Sequence, residues 1–136
     1  MQGLILDIRK MTRGNTASVP FKRMAKELLP ERFQLSLVLC GDTLSRRINR
    51  TYRPPAGASK KKYAPNVLSF PLGEYEGEIF LNVQKAGKEA REFGISTRDR
   101  VAHLFVHGCL HLLGVKHGIH MERREKQTLK KFGFSQ

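Results

Sequence analysis

The sequence predicts an α+β fold, a small mixed β-sheet of about four strands packed with helices, and two kinds of pattern support it. Four short, mostly aliphatic runs have the length and β-branched content of strands. Between and after these runs, apolar residues recur every three or four positions, as they do on one face of a helix. No segment repeats and no change of composition marks an internal boundary, so we expect one domain over residues 1–136.

The first half of the chain is predicted to alternate strand, helix, strand and helix. The runs "GLILDI" (3–8) and "QLSLVLC" (34–40) are short, aliphatic and β-branched, which favours strands. The segment 19–30 between them places apolar residues at helical spacing and ends at a proline. A second helix is predicted over 42–52, because an Asp-Thr pair can cap it and apolar residues then share one face.

The second half is predicted to begin with an irregular loop over 53–65, which is rich in Pro, Gly and Lys. Two strands, a helix, a long central helix and a last amphipathic helix follow, and a glycine ends each helix. These elements are expected over 66–70, 77–83, 84–94, 96–114 and 121–132.

Three histidines near the end of the long helix have the spacing of a catalytic metal site. His107 and His111 lie four residues apart, so on a helix they point the same way one turn apart. Gly114 is suited to a left-handed helix end that turns the chain back and brings in His117. Three histidine ligands with one open position are typical of catalytic zinc, and the pattern matches the ligand spacing of metzincin peptidases. We therefore predict a zincin-like site on this helix, with one Zn²⁺ ion held by His107, His111 and His117.

The residue after the first histidine separates this pattern from that of a zinc peptidase. Such enzymes carry a glutamate there as general base, whereas this chain has Gly108. The glycine is expected either to allow close packing of another element or to open a groove beside the metal for a phosphodiester. His103, one turn earlier, is expected to be either a contact next to the site or a core histidine. Cys109 is predicted to face the core, and His120 the solvent.

The charge of the chain favours a nucleic-acid partner. Lys and Arg number 25 against 12 Asp and Glu, a formal net charge of +13, and such a field attracts polyanions. The stretch from Leu44 to Tyr63 contains many cations and no acid, and Tyr52 and Tyr63 beside them can stack on bases. We therefore predict RNA or DNA contact there. The predicted RNA-binding residues are Arg46, Arg50, Lys60, Lys61 and Lys62.

The location predicted from the sequence is the cytoplasm, with no membrane partner. The longest uncharged run, 101–115, is shorter than the ~20 residues that cross a bilayer, and histidines interrupt it. The two cysteines form no CxxC pair, and the start of the chain does not resemble a signal peptide.

Three segments resemble the YbeY family of bacterial rRNA maturation factors. "HGCLHLLGVKH" (107–117) resembles the family signature His-Gly-x-Leu-His-Leu-x-Gly-x-Asp-His. "INRTYRPPAGASKKKYAPNVLSFP" (48–71) resembles an Asn-x-x-Tyr-Arg block followed by Thr-Asp/Asn-Val-Leu-Ser-Phe, and "GEIFLNV" (77–83) resembles a Gly-Asp-Ile strand. Two residues depart from the family pattern: Lys116 stands where aspartate is usual, and Pro65 where threonine is usual.

The resemblance implies a metal-dependent, single-strand-specific endoribonuclease that acts in maturation of the 16S rRNA 3′ end and in ribosome quality control, together with ribosome-associated proteins. It implies zinc at the three histidines, with His107 and His111 among the catalytic residues, and a functionally important arginine at Arg53. Arg53 would stabilise the charge that develops in phosphoryl transfer, while the metal activates water or assists attack by a 2′-hydroxyl. The proton acceptor stays open between metal-bound hydroxide, His103 and the substrate. Lys116 is expected to weaken metal binding, although it can also hold a phosphate.

Two alternatives to the endoribonuclease hypothesis follow from the same residues. A ribosome-assembly binding module with a structural metal would bind RNA without cleaving it, but structural zinc usually has four protein ligands and the sequence offers no convincing fourth candidate. A zinc peptidase would need a general base from outside the motif.

Overall fold

Four strands form one mixed sheet in the computed structural model, which describes residues 3–14, 16, 18–52 and 63–135. The strands are β1 (Ile5–Lys10), β2 (Gln34–Cys40), β3 (Val67–Gly73) and β4 (Glu76–Asn82). Their order in the sheet is β1-β2-β4-β3. β2 pairs in parallel with both β1 and β4, and β3 pairs with β4 as an antiparallel hairpin. The predicted α+β class with a small mixed sheet is confirmed.

Five helices accompany this sheet in the described residues, and one of them, α4, lies at the centre. They are α1 (Phe21–Leu28), α2 (Asp42–Tyr52), α3 (Val83–Phe93), α4 (Thr97–Leu112) and α5 (Ile119–Lys131). α4 contacts α1, α3, α5, β3 and β4, and its apolar residues are buried in the main core. The long helix that carries the histidines is therefore held on several sides.

The ends of α4 follow from local sequence chemistry. At the start, the Ser96 side chain accepts a hydrogen bond of 3.0 Å from the Asp99 backbone N–H, as an N-cap does. At the end, Gly114 adopts φ 77° and its N–H donates to the His111 carbonyl. This left-handed residue reverses the chain after the helix. The predicted start and turn are confirmed, and the turn carries the chain to His117.

Gly108 is the position where α4 lies closest to the sheet. A Cβ atom added there would lie 3.1 Å from the Ser69 hydroxyl and 3.2 Å from side-chain atoms of both Val67 and Ile79. The same hydroxyl donates a hydrogen bond of 2.9 Å to the Gly108 carbonyl. Of the two expectations for this glycine, the structure supports close packing, because β3 and β4 fill the space that a side chain would take. The expectation of an open groove at Gly108 is wrong.

Three strands differ in extent from the prediction, because pairing partners and caps decide their ends. β3 ends at Gly73, three residues later than predicted, since it pairs with β4 up to Gly73 opposite Glu76. β1 begins and ends two residues later than predicted, since its whole length pairs with β2, up to Lys10 opposite Leu39. β4 ends at Asn82, whose side chain accepts a hydrogen bond from the Lys85 N–H and caps α3. Val83, predicted as strand, is therefore the first residue of α3.

The remaining structural predictions concern cysteines, membranes and the basic loop. Cys40 and Cys109 are free thiols buried in the protein, and burial raises the pKa of both. Within the described ranges, no helix is both long enough and apolar enough to cross a bilayer. Most of the predicted loop, residues 53–62, lies outside the described residues.

Candidate metal centre

Three imidazoles converge where α4 ends. His107 and His111 lie on successive turns of α4, and His117 follows the left-handed turn at Gly114. One ligand atom from each histidine can be chosen so that all three lie within 4.8 Å of one another. The ring centroids are 4.6 Å apart for His107 and His111, 5.1 Å for His107 and His117, and 4.6 Å for His111 and His117. The structure thus brings together the three residues predicted as metal ligands.

The spacing of these nitrogens fits a single small ion. The Nε2 atoms of His107 and His111 are 3.1 Å apart. Two zinc–nitrogen bonds of about 2.0–2.1 Å at a tetrahedral angle place their nitrogens roughly 3.3 Å apart. A donor set of three imidazoles suits zinc and similar transition metals, whereas calcium and magnesium prefer oxygen ligands. The residues present therefore fit the zinc ion that the sequence predicts.

A buried carboxylate orients the first of these histidines. Glu125 of α5 is only 7% exposed, and its Oε2 lies 2.6 Å from Nδ1 of His107. An ionised carboxylate only accepts hydrogen bonds, so Nδ1 of His107 carries the donated proton. The Nε2 lone pair is then left for a metal, which is the arrangement usually found for metal-binding histidines.

The charge of Glu125 is maintained by its histidine neighbours. Burial raises the pKa of this carboxyl, but hydrogen bonds and charge attraction from His103 and His107 outweigh that effect and lower the pKa to about 2. Glu125 is therefore ionised, and accepts a hydrogen bond from His107, at neutral pH.

Sequence reasoning missed Glu125, although a signal for it exists. On α5 the buried positions are Met121, Glu125, Thr128 and Leu129, which recur at helical spacing. A glutamate on the buried stripe of an amphipathic helix requires a partner, because an unpaired buried charge is costly. The stripe alone does not reveal that the partner lies on α4.

His103 belongs to the hydrogen-bond network behind the site. Its Nε2 lies 3.4 Å from Oε1 of Glu125, and its Nδ1 lies 3.3 Å from Nη1 of Arg100. The guanidinium can only donate, so Nδ1 of His103 accepts and Nε2–H donates to the carboxylate. Arg100 also donates to Glu89 at 3.0 Å, in an ion pair that is largely buried. Of the two expectations for His103, the structure supports a contact next to the site.

A groove of about 330 Å³ opens in front of the three histidines. Its other walls come from Asn49 of α2, from Tyr63, Pro65 and Asn66, and from the first residues of β3. Tyr63, a predicted base-stacking residue, lines this groove and is 51% exposed. Gly108 is not among the lining residues. The groove exposes polar groups and one aromatic ring beside a candidate metal centre.

The predicted RNA-binding and catalytic cations are only partly visible in the structure. Arg46 and Arg50 lie on α2, Arg46 half-buried and Arg50 exposed. Tyr52, at the end of α2, is 66% exposed, and its ring packs edge-on against Phe70. The other predicted residues, Arg53, Lys60, Lys61 and Lys62, lie outside the described residues, so their roles stay predictions. His120 is exposed, as predicted.

The fold and the site together define an α+β protein with a candidate catalytic metal centre on its central helix. The model of the Endoribonuclease YbeY family matches residues 8–133, and the chain belongs to that family. The resemblance seen in the sequence motifs is thereby confirmed.

Individual relatives agree with this assignment. The Endoribonuclease YbeY of Bordetella petrii is 41% identical over 103 residues, which cover 72% of this chain and 63% of that protein. That of Solibacter usitatus is 34% identical over 83% of this chain and 76% of its own length. For Pseudomonas putida the identity is 33% over 94% of this chain and 85% of the relative. The solution structure of TM1509 from Thermotoga maritima shares the fold, with a TM-score of 0.65, 22% identity, and coverage of 91% of this chain and 87% of that one.

Proposed function

We propose that this protein is a zinc-dependent endoribonuclease that cleaves single-stranded RNA, and that residues 1–136 form a single domain of that kind. The observation that supports it most directly is the group of three histidine ligand atoms within 4.8 Å of one another, beside an open groove. Family membership makes RNA the substrate class. The family resemblance further supports small-subunit rRNA as the substrate, at the 16S 3′ end, with ribosome-associated proteins as partners in the cytoplasm.

Each residue of the site has a separate task in the proposed reaction. His107, His111 and His117 hold the ion through ring nitrogens, and Glu125 keeps Nε2 of His107 directed towards it. When bound, zinc supplies Lewis-acid polarisation of a phosphoryl oxygen and lowers the pKa of adjacent water. A histidine cluster with no carboxylate among its members leaves a phosphodiester free of a repelling charge at the metal.

The hydrogen bonds of His103 argue against this residue as the proton acceptor of the reaction. Both of its ring nitrogens are engaged, one by Arg100 and the other by Glu125. We therefore propose that His103 positions Glu125 and is not the general base. Position 108 offers no base either, because it is a glycine, and β3 and β4 fill the space in which a side chain would lie.

The proposed role of Arg53 is supported by its neighbours in the chain. It directly follows Tyr52, the last residue of α2, and Asn49 on the same helix lines the groove. Tyr63, ten residues after Arg53 in the sequence, also lines the groove. An arginine beside a phosphodiester presents a planar set of donors to its oxygens and stabilises the charge that develops during the reaction.

Cleavage of matched labelled RNAs tests this proposed function. The zinc-loaded protein is expected to cleave a single-stranded oligonucleotide and to leave the same sequence intact when it is annealed to its complement. Arg53→Ala should slow cleavage of the single strand by about 100-fold, while Arg53→Lys, which keeps the charge but not the planar donors, should recover only part of the rate. RNA affinity should fall much less than the rate.

Two outcomes would contradict the proposal. Equal cleavage of single and double strands would remove the strand preference. Tight RNA binding by the pure zinc-loaded protein without any cleavage would favour the ribosome-assembly binding module.

A further inference from the structure

A second cavity, of about 310 Å³, lies next to the histidine groove and is basic. Its cations are Arg46 of α2 and Lys85, Lys88 and Arg91 of α3. Among the described residues, Asp42 is the one carboxylate that lines it. We name it the basic cavity.

The single carboxylate of Asp42 offsets only part of the charge of the four cations that line the basic cavity. Its Oδ1 accepts a hydrogen bond of 2.7 Å from the Asn82 amide, which holds the carboxylate between α2 and the end of β4. Lys88 and Arg91 are exposed, and neither takes part in an ion pair between described residues. The cavity therefore presents an excess of cations to solvent.

Helix stability does not explain this arrangement of charges. Lys85, Lys88 and Arg91 recur every three residues and so share one face of α3. Like charges at this spacing repel and destabilise a helix. Glu89, an acidic residue on the same helix, is instead committed to Arg100 and Asn66. Arg91 lies in the last turn of α3, where a cation interacts favourably with the helix dipole, but Lys85 and Lys88 lie nearer the helix start and repel each other, so the helix alone does not account for the cationic face.

The basic cavity and the histidine groove share one wall, and that wall is well anchored. Tyr63 lines both. Nζ of Lys85 lies 4.4 Å from the centre of the Tyr63 ring and donates a hydrogen bond of 2.5 Å to the Ala64 carbonyl. The carbonyl of Pro65 accepts a hydrogen bond of 2.7 Å from Ser45 of α2. An exposed aromatic ring is thus held between a cationic cavity and the candidate metal centre.

We propose that the basic cavity is a phosphate-binding subsite for single-stranded RNA. It would hold a backbone phosphate near the phosphodiester that lies at the histidines, while the intervening base stacks on Tyr63. The inference rests on the proposed function for the identity of the strand. It adds Lys85, Lys88 and Arg91 to the RNA-contacting residues, none of which lies in the basic stretch 44–63.

Salt-dependent RNA binding tests the subsite without cleavage. The probe is a fluorescently labelled single-stranded oligonucleotide of about 12 nucleotides, and its anisotropy is measured with chelator present. For a single strand, each phosphate contact contributes about 0.7 to the magnitude of the slope of log association constant against log salt concentration. Loss of one contact therefore lowers the affinity about fivefold at about 0.1 M salt. The double variant Lys88→Gln/Arg91→Gln is expected to bind roughly 10- to 30-fold more weakly, with a slope lower by about 1.4.

Two controls separate a local contact from net charge and from misfolding. Lys22→Gln/Lys26→Gln removes the same charge from exposed positions of α1, which line neither cavity, and is expected to change affinity less than twofold. Lys88→Arg/Arg91→Lys keeps both charges and should bind as the wild type does. Tyr63→Ala should weaken binding without changing the slope, because stacking releases no counterions.

The outcomes distinguish this subsite from the proposed function. Equal affinities and slopes for the α3 and α1 double variants would overturn the subsite, even if the wild type cleaves RNA. Weaker binding only in the α3 variant, in a protein that never cleaves RNA, would support the subsite and refute the endoribonuclease activity.

Discussion

The histidine groove and the basic cavity adjoin each other but are built in different ways. The histidines lie on or just after a helix that contacts five other elements, and His107 is held by Glu125, itself held by His103. Of the cations in the basic cavity, Lys88 and Arg91 are exposed and take part in no ion pair between described residues, whereas Arg46 and Lys85 are half-buried. Metal coordination needs atoms fixed to within a few tenths of an ångström, whereas a phosphate is attracted by any nearby cations. The site that must hold a metal ion is therefore the more closely packed of the two.

The largest effect is expected from a substitution that disturbs the packing of α4 on the sheet, which holds the histidines in place. We expect Gly108→Glu to lower the free energy of unfolding by at least about 3 kcal/mol, because the side chain would meet Ser69, Ile79 and Val67 and bury a charge. Chemical denaturation monitored by circular dichroism measures it. Gly3→Glu is the control, since nothing lies within 4 Å of an added Cβ there. A Gly108→Glu protein as stable as the wild type would show that α4 does not pack on the sheet in this way.

A smaller effect is expected from the carboxylate behind the site. Glu125→Gln keeps the shape of the side chain but removes the charge that accepts from His107, and we expect zinc affinity to fall about 10- to 100-fold. Competition with a chromophoric chelator measures the affinity directly. Glu122→Gln, on the exposed face of the same helix, is the matched control and should bind zinc normally. Equal affinities for the two variants would exclude a positioning role for Glu125.

The smallest expected effect concerns Lys116, the residue that departs from the family pattern beside the last ligand. Lys116 is exposed, so its repulsion of a cation is screened by solvent. Lys116→Asp is expected to raise zinc affinity about two- to fivefold, and Lys116→Gln by about half of that effect on a logarithmic scale. The same chelator competition applies, with Lys130→Asp on α5 as the control for net charge. A lower affinity in Lys116→Asp would show that the lysine does not oppose the metal.

Much of the fold follows from local sequence patterns. The bounds of β2 and α2 are those predicted, and α4 begins at the expected N-cap and turns at the expected glycine. The three histidines were predictable because two helical turns and one left-handed residue determine their approach.

The parts that sequence patterns missed depend on contacts between distant segments. Glu125 meets His107 only because α5 packs on α4. The sequence left Gly108 open between close packing and a groove, because the residues of β3 and β4 that pack against it are distant in the chain. The cations of α3 were not recognised because Lys85, Lys88 and Arg91 join Arg46 only in the folded chain. Periodicity describes one element at a time, and these features arise between elements.

The central claim is that an ion held by the three histidines is required for RNA cleavage. The direct test measures metal content and the rate of single-strand cleavage together, for the wild type, for the wild type after chelation, and for His111→Ala. We predict one zinc ion per chain in the wild type, and loss of both metal and cleavage in the chelated wild type and in His111→Ala. Added zinc should restore cleavage to the chelated wild type but not to His111→Ala. Undiminished cleavage by metal-free protein or by His111→Ala would contradict the account.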